Sequence, residues 1–197
     1  MGIFFDNKLL FNEHVDICVK QSYRILGFIF RSSKHFCNPP SLIYLFNCLV
    51  RSKLEYASTV WNPYYKKNID YIENIQKKFF KILNYKFNLN MNNYVDMLKH
   101  FNMLSLESRR TQTDMVFLFK LLNNMIYAPS IISMLQFSVN LKTRSTNLFV
   151  LYKNNTKNND NSPINRIMSS YNSTFAHIDM FYLSLYMFKK EIINILS

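Results

Sequence analysis

The stretch Ile69-Asp70-Tyr71-Ile72-Glu73-Asn74-Ile75-Gln76-Lys77-Lys78-Phe79-Phe80-Lys81-Ile82-Leu83 decides the fold class. Ile72, Ile75, Phe79 and Ile82 recur at helical steps and share one face, while Asp70, Asn74, Lys77 and Lys81 fall on the other. The pattern predicts an amphipathic helix over these residues.

Reading upstream, Pro39-Pro40-Ser41 breaks the chain and starts a helix whose Leu42, Leu45, Phe46, Leu49 and Val50 form one buried stripe, and Trp61-Asn62-Pro63 ends that unit. Before it, Asn12 is placed to cap a helix carrying Val15, Cys18, Ile25, Leu26 and Ile29, which ends near Arg31-Ser32-Ser33. Ile3-Phe4-Phe5 ahead of the turn formers Asp6-Asn7 predicts a short N-terminal strand, one that needs a partner strand.

Downstream, a polar stretch from Asn88 to Asn93 leads to a shorter helix with Val95, Leu98 and Phe101. Ser105 then offers an N-cap for a longer helix carrying Met115, Leu118, Phe119 and Leu122. Past Pro129 the periodicity weakens to a short helix near Ile131 to Leu135, a strand-like Phe137-Ser138-Val139, and Thr143-Arg144. The run from Asn154 to Asn161 has no apolar period and predicts an exposed loop. Phe181, Leu185, Phe188, Ile192 and Ile195 predict a final amphipathic helix that docks onto the rest of the chain or onto a partner.

Composition supports the same class. With 2 Gly and 5 Pro in 197 residues, the chain has too few turn formers for a β-sandwich or a doubly wound sheet. Its 24 Lys and Arg against 12 Asp and Glu leave a formal charge of +12, which suits a polyanionic partner such as nucleic acid or an anionic membrane. The abundance of Lys and Asn also fits an AT-rich genome. Cys18, Cys37 and Cys48 are odd in number and widely spaced, so neither a disulfide framework nor a zinc site is expected, and a reducing compartment fits. The N-terminus lacks a signal-peptide core and no run approaches the roughly 18 apolar residues of a membrane span. A soluble, unsecreted, intracellular protein of nucleus or cytoplasm is the expectation, with no membrane partner. The expected organisation is mainly α: a strand plus helical bundle over 1–125, and a looser segment over 126–197 with the polar loop 154–161 and the terminal helix.

Several phrases, taken in order, carry a resemblance. They are Gly2-Ile3-Phe4-Phe5-Asp6 with Leu9, Phe11 and His14; Leu26-Gly27-Phe28; Leu49-Val50-Arg51-Ser52-Lys53-Leu54-Glu55-Tyr56-Ala57-Ser58; and Val60-Trp61-Asn62-Pro63. Further on come Ile72-Glu73-Asn74-Ile75-Gln76, Leu104-Ser105-Leu106-Glu107-Ser108-Arg109-Arg110, Asn161-Ser162-Pro163-Ile164 with Arg166, Tyr171-Asn172, and Asp179 with Phe181. The series resembles the region after the polymerase palm in jockey-like non-LTR retrotransposon reverse transcriptases. The resemblance implies a thumb-like helical bundle and a C-terminal segment of a longer RNA-directed DNA polymerase. It also implies a template and primer contact. The family's polymerase site needs clustered carboxylates to hold two metal ions about 4 Å apart. This sequence has no adjacent acidic pair, and Tyr56-Ala57-Ser58-Thr59, the nearest text match to the family's Tyr-Ala-Asp-Asp turn, lacks both carboxylates. The chain is therefore expected to be a truncated, non-catalytic part, without metal or cofactor.

Candidate nucleic-acid contacts are Lys66, Lys67, Lys77, Lys78 and Lys81, with Lys86 beyond them, because mobile ammonium groups can track a phosphate backbone. The same lysines fit a solvated helix face. Glu107, Arg110 and Asp114 have the spacing of intrahelical ion pairs, which leaves Arg109 as the more available contact. Arg51 and Lys53, near Glu55, read as structural charges at a helix end. Trp61 and Tyr56 could stack on bases, although a Trp ending an apolar helix is more often core. His14, His35, His100 and His177 show no catalytic or metal-ligand spacing. Binding to RNA or DNA is expected to be weak and non-specific. The alternatives left open are a decayed transposon remnant and a helical interaction module pairing through the Phe181 to Ile195 stripe.

Overall fold

The computed structural model describes residues 2–138, 147–151 and 162–197. It is mainly helical, and among the described residues the only strand-like pairing is one isolated antiparallel bridge, Phe137 to Phe149. The predicted N-terminal strand is not formed. Residues 3–5 find no partner strand, and the chain instead turns at Asp6, whose carboxylate accepts from the Lys8 and Leu10 amides at 3.0 and 2.8 Å.

Two compact units divide the chain, Met1–Arg109 and Arg110–Ser197. The division falls inside a helix rather than near residue 125, because the second half of that helix supplies side chains to a second core. In the first unit α1 spans Asn12–Ser32 and α2 Pro39–Leu45. A wider π-helical turn, Phe46–Arg51, continues into α3, Ser52–Glu55, followed by α4, Ser58–Trp61. The long helix α5 covers Lys66–Phe87 and α6 covers Tyr94–His100. α7, Leu106–Leu122, carries residues of both units. In the second unit α8 is Pro129–Ile132, α9 is Pro163–Ser170 with a π-helical turn at Tyr171–Phe175, and α10 is Leu185–Leu196.

The π turn explains which residues of the second predicted helix are buried. Leu42, Phe46, Val50 and Leu54 are all fully buried, while Leu49 is exposed. Steps of four overshoot an α-helical turn by about 40° each, so three steps would rotate the last residue roughly 120° out of line. Widened i to i+5 turns absorb that drift and keep all four on the core. Phe46 stacks on Phe79 at 4.3 Å, joining this rod to α5. Trp61 is buried, its ring edge-on to His14 at 5.0 Å and its indole N–H donating to the Tyr56 carbonyl at 2.8 Å.

Local details differ from expectation at several points. Asn12 does not cap α1; Phe11 occupies that position with φ 54°, and Asn12 instead accepts from the Asn68 amide at 2.7 Å. On α5, Leu83 is buried where Ile82 was expected, and on α6 Met97 replaces Val95. Ser105 does cap α7, its hydroxyl accepting from the Ser108 amide at 3.0 Å.

The second core gathers Met115, Leu118, Phe119 and Leu121 of α7 with Ile167, Met168, Phe175, Phe188 and Ile192. Phe119 and Phe188 stack at 4.5 Å. The terminal helix is shorter than predicted: Ser184 caps it, accepting from Met187 N at 3.3 Å, and Phe181 lies before it in an exposed turn. The middle of the apolar stripe, Phe188 and Ile192, is thus consumed inside the unit. α9 was not anticipated, although Ser162-Pro163 is a cap and first-turn signal. The predictions for Val139, Thr143-Arg144 and Asn154 to Asn161 lie outside the described residues.

Candidate nucleic-acid interface

α5 sorts its residues cleanly. At about 100° per residue, its buried side chains occupy one side of the helix, and Lys66, Lys67, Lys77, Lys78 and Lys81 fall within an arc of roughly 120° on the other. All five are exposed. From Lys66 to Lys81 the ridge runs about 22 Å at 1.5 Å per residue.

The five are not equivalent. Lys66 lies 3.5 Å from Asp70 and 3.8 Å from Glu107, so its charge is partly spent within the protein. Lys77 sits over the Tyr94 ring at 5.7 Å, and Lys78 over Tyr23 at 5.1 Å, which orients both ammonium groups without neutralising them. Among the described residues, Lys67 and Lys81 have no ion-pair partner. Lys86 turns away, donating to the Ser33 carbonyl.

Arg109, expected to be the more available contact of its group, is engaged by Glu55. Its guanidinium grips Glu55 through both Nε and Nη2, the latter at 2.9 Å, and the side chains are only 25% and 18% exposed. Arg51 shares the same carboxylate at 3.6 Å. Burial, then the neighbouring Arg109 charge, push the Arg51 pKa downward. Two of the charges expected to pair within α7 also meet residues outside it: Glu107 faces Lys66, and Asp114 accepts from Arg166 of α9 at 3.1 Å. Sequence spacing alone hides these contacts, because Lys66 is 41 residues from Glu107 and Arg166 is 52 residues from Asp114.

What positions the ridge is a buried carboxylate at the edge of the buried face of α5, one turn before Lys77. Glu73 accepts from the backbone N–H groups of Leu106 and Glu107, each at 3.2 Å, and from the Tyr94 hydroxyl. Its charge thereby meets the positive end of α7. Gln76, one turn on, donates to the Leu104 carbonyl at 3.0 Å. Desolvation, followed by the adjacent Glu73 charge, drives the Tyr94 phenol pKa up, so that hydroxyl stays a donor.

α1 lies along α5 in the same direction. Asn12 bonds Asn68, the Tyr71 hydroxyl donates to Asp16 at 3.2 Å, Lys78 covers Tyr23, and Lys86 reaches Ser33. Two hollows open along this seam. One, of about 520 Å³, is bordered by Asp16, Tyr65, Lys67 and Tyr71; the other, of about 280 Å³, by Tyr23, Leu26, Gly27, Phe30, Lys78 and Ile82. Sequence reasoning missed the seam, since no local pattern states which helices are neighbours.

His14 and Cys18 meet at 3.5 Å beneath Trp61. Burial lowers the histidine pKa and raises that of the thiol, which keeps both neutral and argues for packing. Among the described residues no cluster of His, Cys, Asp and Glu could hold a metal ion, and no helix is long and apolar enough to cross a membrane. No protein-family model, curated protein or solved structure matches the chain.

Proposed function

We propose that this chain is a nucleic-acid-binding helical segment of a non-LTR retrotransposon reverse transcriptase, contacting template and primer and not polymerising by itself. The observation that carries the reading is the lysine ridge of α5, exposed, held in register by Glu73, and rich in cations that the protein's own acids do not neutralise. The ordered motif resemblance supports the family. The absence of any adjacent acidic pair in the sequence supports a non-catalytic role for these residues. An interaction module built on the Phe181 to Ile195 stripe has less support, because Phe188 and Ile192 are buried in the second core.

Four lysines, Lys67, Lys77, Lys78 and Lys81, remain to meet phosphates. Each phosphate neutralised releases counterions, so affinity is expected to fall roughly 50- to 150-fold between 50 and 200 mM salt. Fluorescence anisotropy with labelled oligonucleotides measures this directly. A flat salt dependence, or no association at low salt, refutes the reading. Primer extension with the purified chain is expected to give no product, and metal-dependent incorporation would overturn the non-catalytic assignment.

A further inference from the structure

The two parallel helices segregate charge along the seam. From Ile17 to Ser32 on α1 and from Asn74 to Phe87 on α5 there is no acidic residue, while Lys20, Arg24, Arg31, Lys77, Lys78, Lys81 and Lys86 lie in those halves. Lys20 is held by Asp16, Lys86 donates to the Ser33 carbonyl, and the Arg31 guanidinium lies beside Gly27. Lys78 lines the hollow of about 280 Å³, and exposed Arg24 and Lys81 adjoin its lining residues Tyr23 and Ile82 in sequence. Its lining is mostly apolar and aromatic, from Tyr23, Leu26, Phe30 and Ile82, and Gly27 adds no side chain to it. An apolar slot with cations at its rim matches a planar base carrying a phosphate. Its size is close to the lower bound of small-ligand pockets, about 300 Å³.

We propose that this slot holds a nucleotide of an unpaired strand, its base packed against Tyr23 and Phe30 and its phosphates met by Arg24, Lys78 and Lys81. The proposal rests on the nucleic-acid reading above and narrows it to single strands, since a base locked in a duplex cannot enter.

The test compares a twelve-nucleotide oligouridylate with a duplex of equal length, by anisotropy at low salt. Gly27→Leu fills the slot from within. A Cβ at Gly27 meets only the Arg31 Nη1 at 3.3 Å, the mobile end of a flexible side chain, and Leu favours a helix over Gly, so the fold is expected to survive. The expected result is tighter binding of the oligouridylate than of the duplex, weakened about tenfold by Gly27→Leu, with duplex affinity unchanged. Equal affinity for both probes, or no effect of Gly27→Leu on the oligouridylate, overturns the slot and leaves nucleic-acid binding intact. No binding of either probe overturns both. If the variant misfolds, photocrosslinking of 5-iodouracil oligonucleotides to the native chain decides. Adducts on Tyr23 or Phe30 uphold the slot, and adducts only elsewhere overturn it.

Discussion

Glu73→Gln is the most informative single change in the first unit. Glu73 is 7% exposed and uses both oxygens: Oε1 accepts from Leu106 N and the Tyr94 hydroxyl, Oε2 from Glu107 N. Two opposed effects follow from the substitution. Gln relieves the desolvation of a buried charge, which alone would stabilise. It also turns an acceptor into an NH2 donor facing the Glu107 N–H and removes the charge from the helix terminus, which costs about 1–2 kcal/mol for each lost charged hydrogen bond and up to about 2 kcal/mol for the dipole. Three donors converge on the carboxylate, so the loss should win by about 1–2 kcal/mol. Glu73→Ala, which also strands the Leu106 N–H in a fully buried position, should cost about 3–4 kcal/mol. Because two units need not unfold together, the readout is amide hydrogen exchange over residues 104–110, alongside urea unfolding by circular dichroism. Faster exchange at Leu106 and Glu107 with a lower urea midpoint is expected. A Glu73→Gln protein as stable as the parent, with unchanged exchange there, would refute the claim that the carboxylate anchors α7.

Burial holds the His14 pKa below its ordinary 6.5, so the folded chain resists a proton that the unfolded chain accepts. Stability of the first unit should therefore fall as pH drops below about 6.5, and His14→Gln should flatten that dependence between pH 7.5 and 5.5 in urea titrations. Phe188→Ala should destabilise the second unit by about 3–5 kcal/mol, since Phe188 is fully buried and stacked on Phe119, while leaving the affinity of the first unit for oligonucleotides unchanged.

Which parts of this molecule could be read from sequence follows from the range of the interactions. α5 was legible because its burial pattern is local: Ile72, Ile75 and Phe79 lie within two turns of one another. The Ser105 cap was legible for the same reason. The N-terminal strand was misread because β-prone residues are not a strand without a partner, and none is supplied to residues 3–5. The π turn was illegible, since a run of i+4 spacings suits an α-helix until the drift over several turns is followed. The pairing of Arg109 with Glu55 was illegible because the two are distant in sequence, and long-range pairing is what a single chain read in order does not reveal. Of the expected contacts, the lysines keep their exposure, whereas the seam that gives them an aromatic neighbourhood comes from the packing of α1 on α5.

The carboxylates and the cations of the first unit have separated roles. Asp6 closes a turn, Asp16 receives Lys20 and Tyr71, Glu55 receives two arginines, Asp70 and Glu107 flank Lys66, and Glu73 anchors α7. Most acids are thus committed to holding structure. Part of the surplus lies in Lys67, Lys77, Lys78 and Lys81, which are exposed and placed on one helix face. Stability and binding should then separate by the sign of the charge removed. Loss of a buried acid such as Glu73 lowers stability, whereas loss of a ridge lysine lowers affinity at little cost in stability, because an exposed charge contributes little to the fold.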